Sequence, residues 1–276
     1  MKLQQTHRFK MNIEFLISTT NRLETQFLNK IFENIAMNNF NAIVINQCYQ
    51  VEPKQLKSDN THIDIHSVRD KGLSKSRNLA LKNASRDICV VADDDLVYLK
   101  DCIERINQVY EEDKNLDVAV FQIITPDGEP YKRYSPNSYL IKKGKDQLKI
   151  SSVEISFRLK SIKENGIEFN ENLGLGAKYT KGEEAVFINE CIRHGLKVKY
   201  FPIPIVYHPK ESSGKTFSKP NIIANGIVYF KLFRFISPLV SLYFSIKKYS
   251  RYKRKYSFVN YLYLTLRGCY IGFLGI

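Results

Sequence analysis

The sequence predicts an α/β protein: a mostly parallel central sheet flanked by helices, followed by a basic, aromatic helical tail. Three observations carry this. Apolar runs of strand length alternate with runs at helical spacing over residues 13–92, the pattern of strand–helix–strand units. Polar and acidic residues stand just behind the strand-like runs, and sheets of this kind bind ligands at the carboxyl ends of their strands. From Asn221 onward there are nine Lys or Arg and no Asp or Glu, so +9 of the formal net charge of +14 lies in the tail.

Residues 13–19, IEFLIST, read as a buried strand that leads into the polar turn TTNR. Phe27, Leu28, Ile31 and Ile35 then recur at helical spacing. AIVIN (42–46) is a second strand, and HIDIHSV (62–68) alternates as a third. Leu73, Leu79, Ala80 and Ala84 give residues 72–84 a helical rhythm. DICVVA (87–92) is a fourth strand, with Asp93, Asp94 and Asp95 directly behind it. A helix over about 100–110 and a strand over 118–124 follow, and TPDGEP is a turn by its Pro and Asp-Gly content. SSVEISFR (151–158) reads as a strand, and the glycine-rich stretch up to Glu184 reads as a loop. A helix over 183–194 places Phe187, Ile188, Cys191 and Ile192 inward, with Gly195 as its C-cap. A last strand ends at His208, and 210–219 is a polar linker. The expected division is a main domain over 1–210, with halves near 11–98 and 99–210, and a linker and tail over 211–276.

The chain has 276 residues, 43% of them hydrophobic and 25% charged. That supports a sizeable core and excludes global disorder. Its five cysteines are odd in number and include no Cys-x-x-Cys pair. This points to a reducing compartment and away from a disulfide framework or a zinc site. The start, MKLQQTHRFK, has no apolar stretch behind its charges, so a signal peptide is not expected and a cytoplasmic protein is.

Three adjacent carboxylates behind a buried strand repel one another unless something positive lies among them. Two readings are open: a solvated acidic turn, or a site for a divalent cation. Oxygen ligands favour Mn²⁺ or Mg²⁺, and such an ion could join the carboxylates to a diphosphate. Glu183 and Glu184 likewise either complement a helix dipole or supply a base at a helix start that favours a carboxylate.

These residues resemble the core of the family 2 glycosyltransferases. The first matching block is Gly72-Leu73-Ser74, Arg77-Asn78, an apolar strand and the acids 93–95, which match the family's Asp-x-Asp motif. The second is the glycine-rich loop ending in Gly182-Glu183-Glu184, and the third is IPIVYHP with His208. The resemblance spans about residues 11–210. It implies the GT-A fold, which is Rossmann-like, and inverting transfer from a nucleotide-diphosphate sugar to a hydroxyl of a glycan or lipid-linked acceptor. It implies a donor site from Ser18, Thr19, Asn21, Arg22, Asn46, Gly72, Arg77, Asn78, Asp93 and Asp94. The metal, Mn²⁺ or Mg²⁺, would be held by Asp95 with Asp93 and His208, although a His after a strand can equally be structural. Glu184, with Glu183 beside it, would be the general base. The chain departs from the family at two strand ends. Asn46-Gln47 stand where the family has Asp, and Ser18-Thr19-Thr20-Asn21-Arg22 where it has Pro-Thr-Tyr-Asn-Arg. The amides can still donate and accept hydrogen bonds to a base.

The tail mixes apolar, aromatic and basic residues. Its uncharged run over 235–246 is too short to span a bilayer, and Pro238 interrupts it. The expectation is attachment to the anionic inner face of a bacterial membrane, against a helical subdomain packed on the core. Basic and aromatic interleaving also suits nucleic acid, but no recognition motif accompanies it, so no nucleic-acid partner is expected. Two rival functions stand beside the transferase: a nucleotidyltransferase, disfavoured because STTNRLE lacks a glycine-rich loop, and a non-catalytic nucleotide-sugar-binding module at the membrane surface.

Overall fold

The computed structural model describes residues 11–36, 40–209 and 217–275. The start of the chain and most of the expected linker (residues 1–10 and 210–216) lie outside them. Four strands build the first half: β1 (Ile13–Thr20), β2 (Asn41–Gln47), β3 (Ile63–Val68) and β4 (Ile88–Asp93). They pair in parallel in the order β3-β2-β1-β4. Helices α1 (Gln26–Ile31) and α2 (Leu73–Asn83) are the crossovers that parallel pairing demands.

The second half continues the same sheet with mixed directions. It adds β5 (Val97–Tyr98), α3 (Cys102–Glu112), β6 (Val118–Ile124), β7 (Tyr139–Leu140), β8 (Ile155–Arg158), α4 (Leu159–Glu164), α5 (Glu183–Arg193) and β9 (Val198–Tyr207). β8 lies antiparallel between β4 and β6, β6 pairs parallel with β9, and β5 and β7 pair antiparallel with β9. The expected strand over 151–158 begins only at Ile155, because Ser152–Glu154 form a 3₁₀ turn. Glu154 causes this: its buried carboxylate accepts from the Ser151 amide, Lys132 and Tyr134, bonds a straight strand could not offer.

The two faces of the sheet are both apolar, as expected of strands covered on either side. Phe15, Ile17, Val90 and Ala92 point toward α1 and α3, while Leu16, Cys89 and Val91 point toward α2 and α5. Each large apolar side chain taken out of water there contributes about 1.5–3 kcal/mol. All five cysteines are free and buried. Registers are level at the functional edge: Ser18 lies opposite Asp93 and Thr19 opposite Asn46, so three strand ends open on one side.

The tail folds as α6 (Lys219–Phe233), α7 (Ser237–Lys247), α8 (Tyr249–Tyr252) and α9 (Phe258–Phe273). By length and composition alone residues 219–247 could cross a membrane. They do not form one straight rod, because Arg234 turns the chain with a φ of +50°. α6 is a core helix: Ala224, Ile227, Val228 and Leu232 share a cluster with Leu173, Tyr179, Ala185 and Val186 of the main domain. It crosses α9 at backbone contact. A Cβ on Gly226 would lie 1.9 Å from the Thr265 carbonyl oxygen, and one on Gly268 2.1 Å from that of Ile223.

Candidate active site

A cavity of about 910 Å³ opens at the carboxyl ends of β1, β2 and β4, ample for a sugar nucleotide. Ser18, Thr19, Gly72, Asp93, Asp94, Asp95, Glu183, Glu184 and His208 line it. Asn21, Arg22, Asn46, Arg77 and Asn78 do not line it, and Asn78 lines a separate cavity with Asp70, Lys75 and Glu171.

The motif GLSKSRN is a set of anchors, each bonded to a different segment. Gln47 clamps Gly72 from both sides, donating to its carbonyl and accepting from its amide. Ser74 donates to the Leu173 carbonyl at 2.6 Å, tying the glycine-rich loop to the start of α2. Ser76 donates to Ser18 at 2.8 Å. Asn78 bonds both the amide and the carbonyl of Phe169, which seats the strap that leads into that loop.

Arg77 is the hub. It is 1% exposed, pairs with Asp93 at 3.0 Å and Glu183 at 3.1 Å, and stacks its guanidinium 5.6 Å from the Phe169 ring centre. Burial opposes its charge, but Asp93, Glu183 and Glu184 together outweigh that and raise its pKa. One cation thus fixes the distance between the strand-end acids and the helix-start acids. A buried charge of this kind is tolerable only when paired, here through Nη1 and Nη2, while Nε is left without a partner.

The turn after β1 is held from β2. Asn21, at φ +53°, accepts from the amides of Tyr49 and Gln50. Asn46 is fully buried and bonds the Arg22 amide and carbonyl. Its amide group is therefore spent on the backbone and faces no ligand. Arg22 in turn pairs with Asp94 at 2.7 Å, and Thr19 donates to the same carboxylate. With Asp93 on Arg77 and Asp94 on Arg22, the triplet repels itself less than its sequence suggests.

Asp95 is the acid without an arginine. Its carboxyl sits above the ordinary aspartate range, chiefly through burial, with Asp93 and Asp94 adding to the rise and His208 opposing it. His208 Nε2 faces it at 3.8 Å. The other ring nitrogen, Nδ1, lies 2.5 Å from the Pro209 carbonyl oxygen. That oxygen can only accept, so Nδ1 donates to it and Nε2 is the nitrogen turned toward the carboxylate. A carboxylate oxygen and an imidazole nitrogen set 3.8 Å apart are a pair of ligand types suited to a cation such as Mn²⁺. Among the described residues no group of three His, Cys, Asp or Glu side chains converges as a metal centre, so further ligands would have to come from phosphate and water.

α5 begins at Gly182, whose φ is +96°. A Cβ there would fall 2.3 Å from Val228 Cγ2, so α6 packs flush against the helix start that carries the acids. Oε2 of both Glu183 and Glu184 is buried without a hydrogen-bond partner. Burial and the neighbouring Glu183 push the Glu184 carboxyl up to about 8, and Arg77 only partly offsets them. Glu183 is committed to Arg77, which leaves Glu184 the freer base.

Sequence reasoning overlooked Lys181. It lines the cavity, and burial lowers its pKa, with Glu184 opposing. Lys248, at the end of α7, is lowered to about 8 by burial and by Lys181, Arg251 and Lys247. Tyr49 and Lys71 were also missed; the Lys71 ammonium lies 4.9 Å from the Tyr49 ring centre on the cavity wall. The position of Lys181 beside Gly182-Glu183-Glu184 was the available signal for the first. For Lys248 there was none, since only the fold returns α7 toward the site.

This sheet, with Asp93 and Glu183 joined by one arginine beside a nucleotide-sized cavity, has the architecture of the GT-A fold. The model of the family described as glycosyl transferase family 2 matches residues 15–169, more than half of the chain, and the chain belongs to that family. The structure of S. aureus TarS 1-349 in complex with UDP-GlcNAc is similar with a TM-score of 0.60 at 15% identity, covering 90% of this chain and 76% of that one. The complex of TarS 1-349 with UDP is similar at a TM-score of 0.58 and 14% identity, with the same coverage. Longer S. aureus TarS matches at a TM-score of 0.59 and 12% identity, over 87% of this chain and 44% of that one. No curated protein matches significantly.

Proposed function

We propose that this chain is an inverting, metal-dependent glycosyltransferase of bacterial surface polysaccharide synthesis. It takes a sugar from a nucleoside-diphosphate donor to a hydroxyl of a glycan or lipid-linked acceptor. One observation carries the reading: Arg77 binds Asp93 and Glu183 at once, so donor-side and acceptor-side acids face one cavity at a fixed separation. That similar structures hold UDP-GlcNAc and UDP supports a nucleotide donor of the same kind here.

In this mechanism Ser18, Thr19 and Gly72 line the nucleotide side of the cavity, and Asp93, oriented by Arg77, meets the ribose. Asp95 and His208 would hold Mn²⁺ or Mg²⁺. When bound, the cation supplies positive charge beside the departing diphosphate. Glu184 accepts the proton of the acceptor hydroxyl through its unpartnered Oε2, as the hydroxyl oxygen attacks the sugar carbon from the face opposite the leaving group. A carboxyl held near neutrality is a stronger base than an ordinary glutamate and acts once ionised. Lys181 on the wall and Lys248 nearby bring positive charge to this side of the cavity. They favour an acceptor that carries phosphate, as a lipid-linked glycan does. The main domain would then be the catalytic unit, and the basic tail would keep it at the membrane's inner face.

The deciding experiment is release of nucleoside diphosphate from candidate sugar nucleotides with Mn²⁺, alongside thermal shifts of the full chain with nucleoside diphosphates. A rise in melting temperature that needs both nucleotide and Mn²⁺ is expected. Binding without any turnover across donors and acceptors would leave the non-catalytic module standing instead.

A further inference from the structure

α7 and α9 leave large apolar side chains in the open. On α7, Ser237, Ser241 and Ser245 recur every four residues and are buried. Ser241 touches Cys269 of α9 at 3.2 Å. The opposite face shows Leu239 at 69% exposure and Ile246 at 61%, with Tyr243 between them, and Phe235 in the turn before the helix is 88% exposed. α9 is apolar on both sides: Tyr261 and Leu264 are turned inward with Thr265, Gly268 and Gly272, while Val259, Tyr263, Tyr270 and Phe273 are turned out.

A helix on the surface of a water-soluble protein turns its apolar stripe to the core and its small polar residues to water. The reverse order is what helices in lipid adopt, because small residues permit close backbone approach and the apolar side chains already have an apolar solvent. The backbone contact at Gly226 and Gly268 belongs to the same pattern. Next to the apolar face of α7, the chain from 247 to 255 carries Lys247, Lys248, Arg251, Lys253, Arg254 and Lys255 with no acid. An exposed apolar face bordered by cations complements hydrocarbon bordered by anionic headgroups. α7 has 11 residues and is therefore about 16 Å long, against roughly 30 Å of bilayer hydrocarbon. α6 is walled in by the main domain and α9. The face is thus built to enter one leaflet and not to cross the membrane.

We infer that the outer faces of α7 and α9 insert into the hydrocarbon of an anionic bilayer, making the protein monotopic instead of held by charge alone. This rests on the membrane-facing part of the function proposed above and deepens it. Insertion sets the catalytic cavity at the height of the headgroups, where the phosphate of a lipid-linked acceptor lies.

The test is flotation of the full chain with phosphatidylcholine vesicles, with and without phosphatidylglycerol, at low salt and in 1 M NaCl, where the screening length is about 3 Å. The full chain is expected to float with mixed vesicles in both salts. L239E/I246E, whose altered side chains are exposed, should lose binding at least tenfold. K253Q/R254Q/K255Q should weaken binding only at low salt. Release of the unaltered chain by 1 M NaCl would overturn insertion and leave charge-driven attachment. A lipid-free dimer abolished by L239E/I246E would assign the face to a second copy of the chain and also overturn it. Nucleoside diphosphate binding, measured on the same samples, reports on the catalytic reading separately, so the two can fail independently.

Discussion

Arg77 shows how much can depend on one side chain. Its charge is what permits Asp93 and Glu183 to be buried near each other. Replacing it by Met should leave two unpaired acids and cost about 3–5 kcal/mol, measured by urea unfolding at neutral pH. Arg77→Lys should recover little, because an ammonium cannot fork between two carboxylates. Glu184 gives a prediction with a definite sign. Its carboxyl is pushed up to about 8, so the folded chain holds that proton more tightly than the unfolded one. The associated stability is present in acid, below the ordinary glutamate pKa, and is lost as pH rises toward 8. Glu184→Gln should therefore melt higher than the unaltered protein at pH 8 and equally near pH 4, by calorimetry. The same variant should keep nucleotide binding and lose transfer, and transfer by the unaltered enzyme should rise with pH toward 8. A Gln variant with ordinary turnover would remove Glu184 from the mechanism.

At the scale of elements, the α6–α9 crossing is a backbone contact and admits no added atom. Gly226→Ala must push the helices apart and should cost about 1–3 kcal/mol. Cys269, buried at this junction between α6, α7 and α9, offers the readout: its rate of labelling by a thiol reagent should rise in the variant. α6 also bears on how the tail can be tested. Removing residues 217–276 uncovers Leu173, Tyr179, Ala185 and Val186 beside the start of α5. Such a truncation should aggregate or lose nucleotide binding, assayed by light scattering and thermal shift. For that reason point substitutions on α7 are the cleaner probe of attachment.

At the scale of the whole molecule, two halves of one sheet meet at the cavity, and the proposed metal site draws on both. Asp95 follows β4 and His208 follows β9, and they face each other across 3.8 Å. Asp95→Ala should remove the part of nucleoside diphosphate binding that depends on Mn²⁺ and spare the part that does not, by calorimetric titration with and without the ion. Equal Mn²⁺ dependence in the variant would relocate the site.

The sequence by itself determined the parallel half of the sheet, the acids at its edge and the loop that ends in Glu183 and Glu184. Alternating apolar runs and strand-end polar groups are local signals, and β1, β2 and β4 are buried on both faces. It also marked the tail as basic and aromatic. Only the tertiary structure decided which side chains meet. Asn46, read as a ligand contact, is consumed by the Arg22 backbone. Arg77, read as a donor contact, lies beneath the cavity and binds two acids 16 and 106 residues away. The 3₁₀ turn at Ser152 follows from Glu154 meeting Lys132 and Tyr134, and Lys248 comes within electrostatic reach of Lys181 only because α6 packs on α5 and carries α7 with it. The exposed apolar faces of α7 and α9 were equally hidden. Periodicity shows that a helix has two faces, but which one turns inward is set by what packs against it, and that partner is distant in the chain.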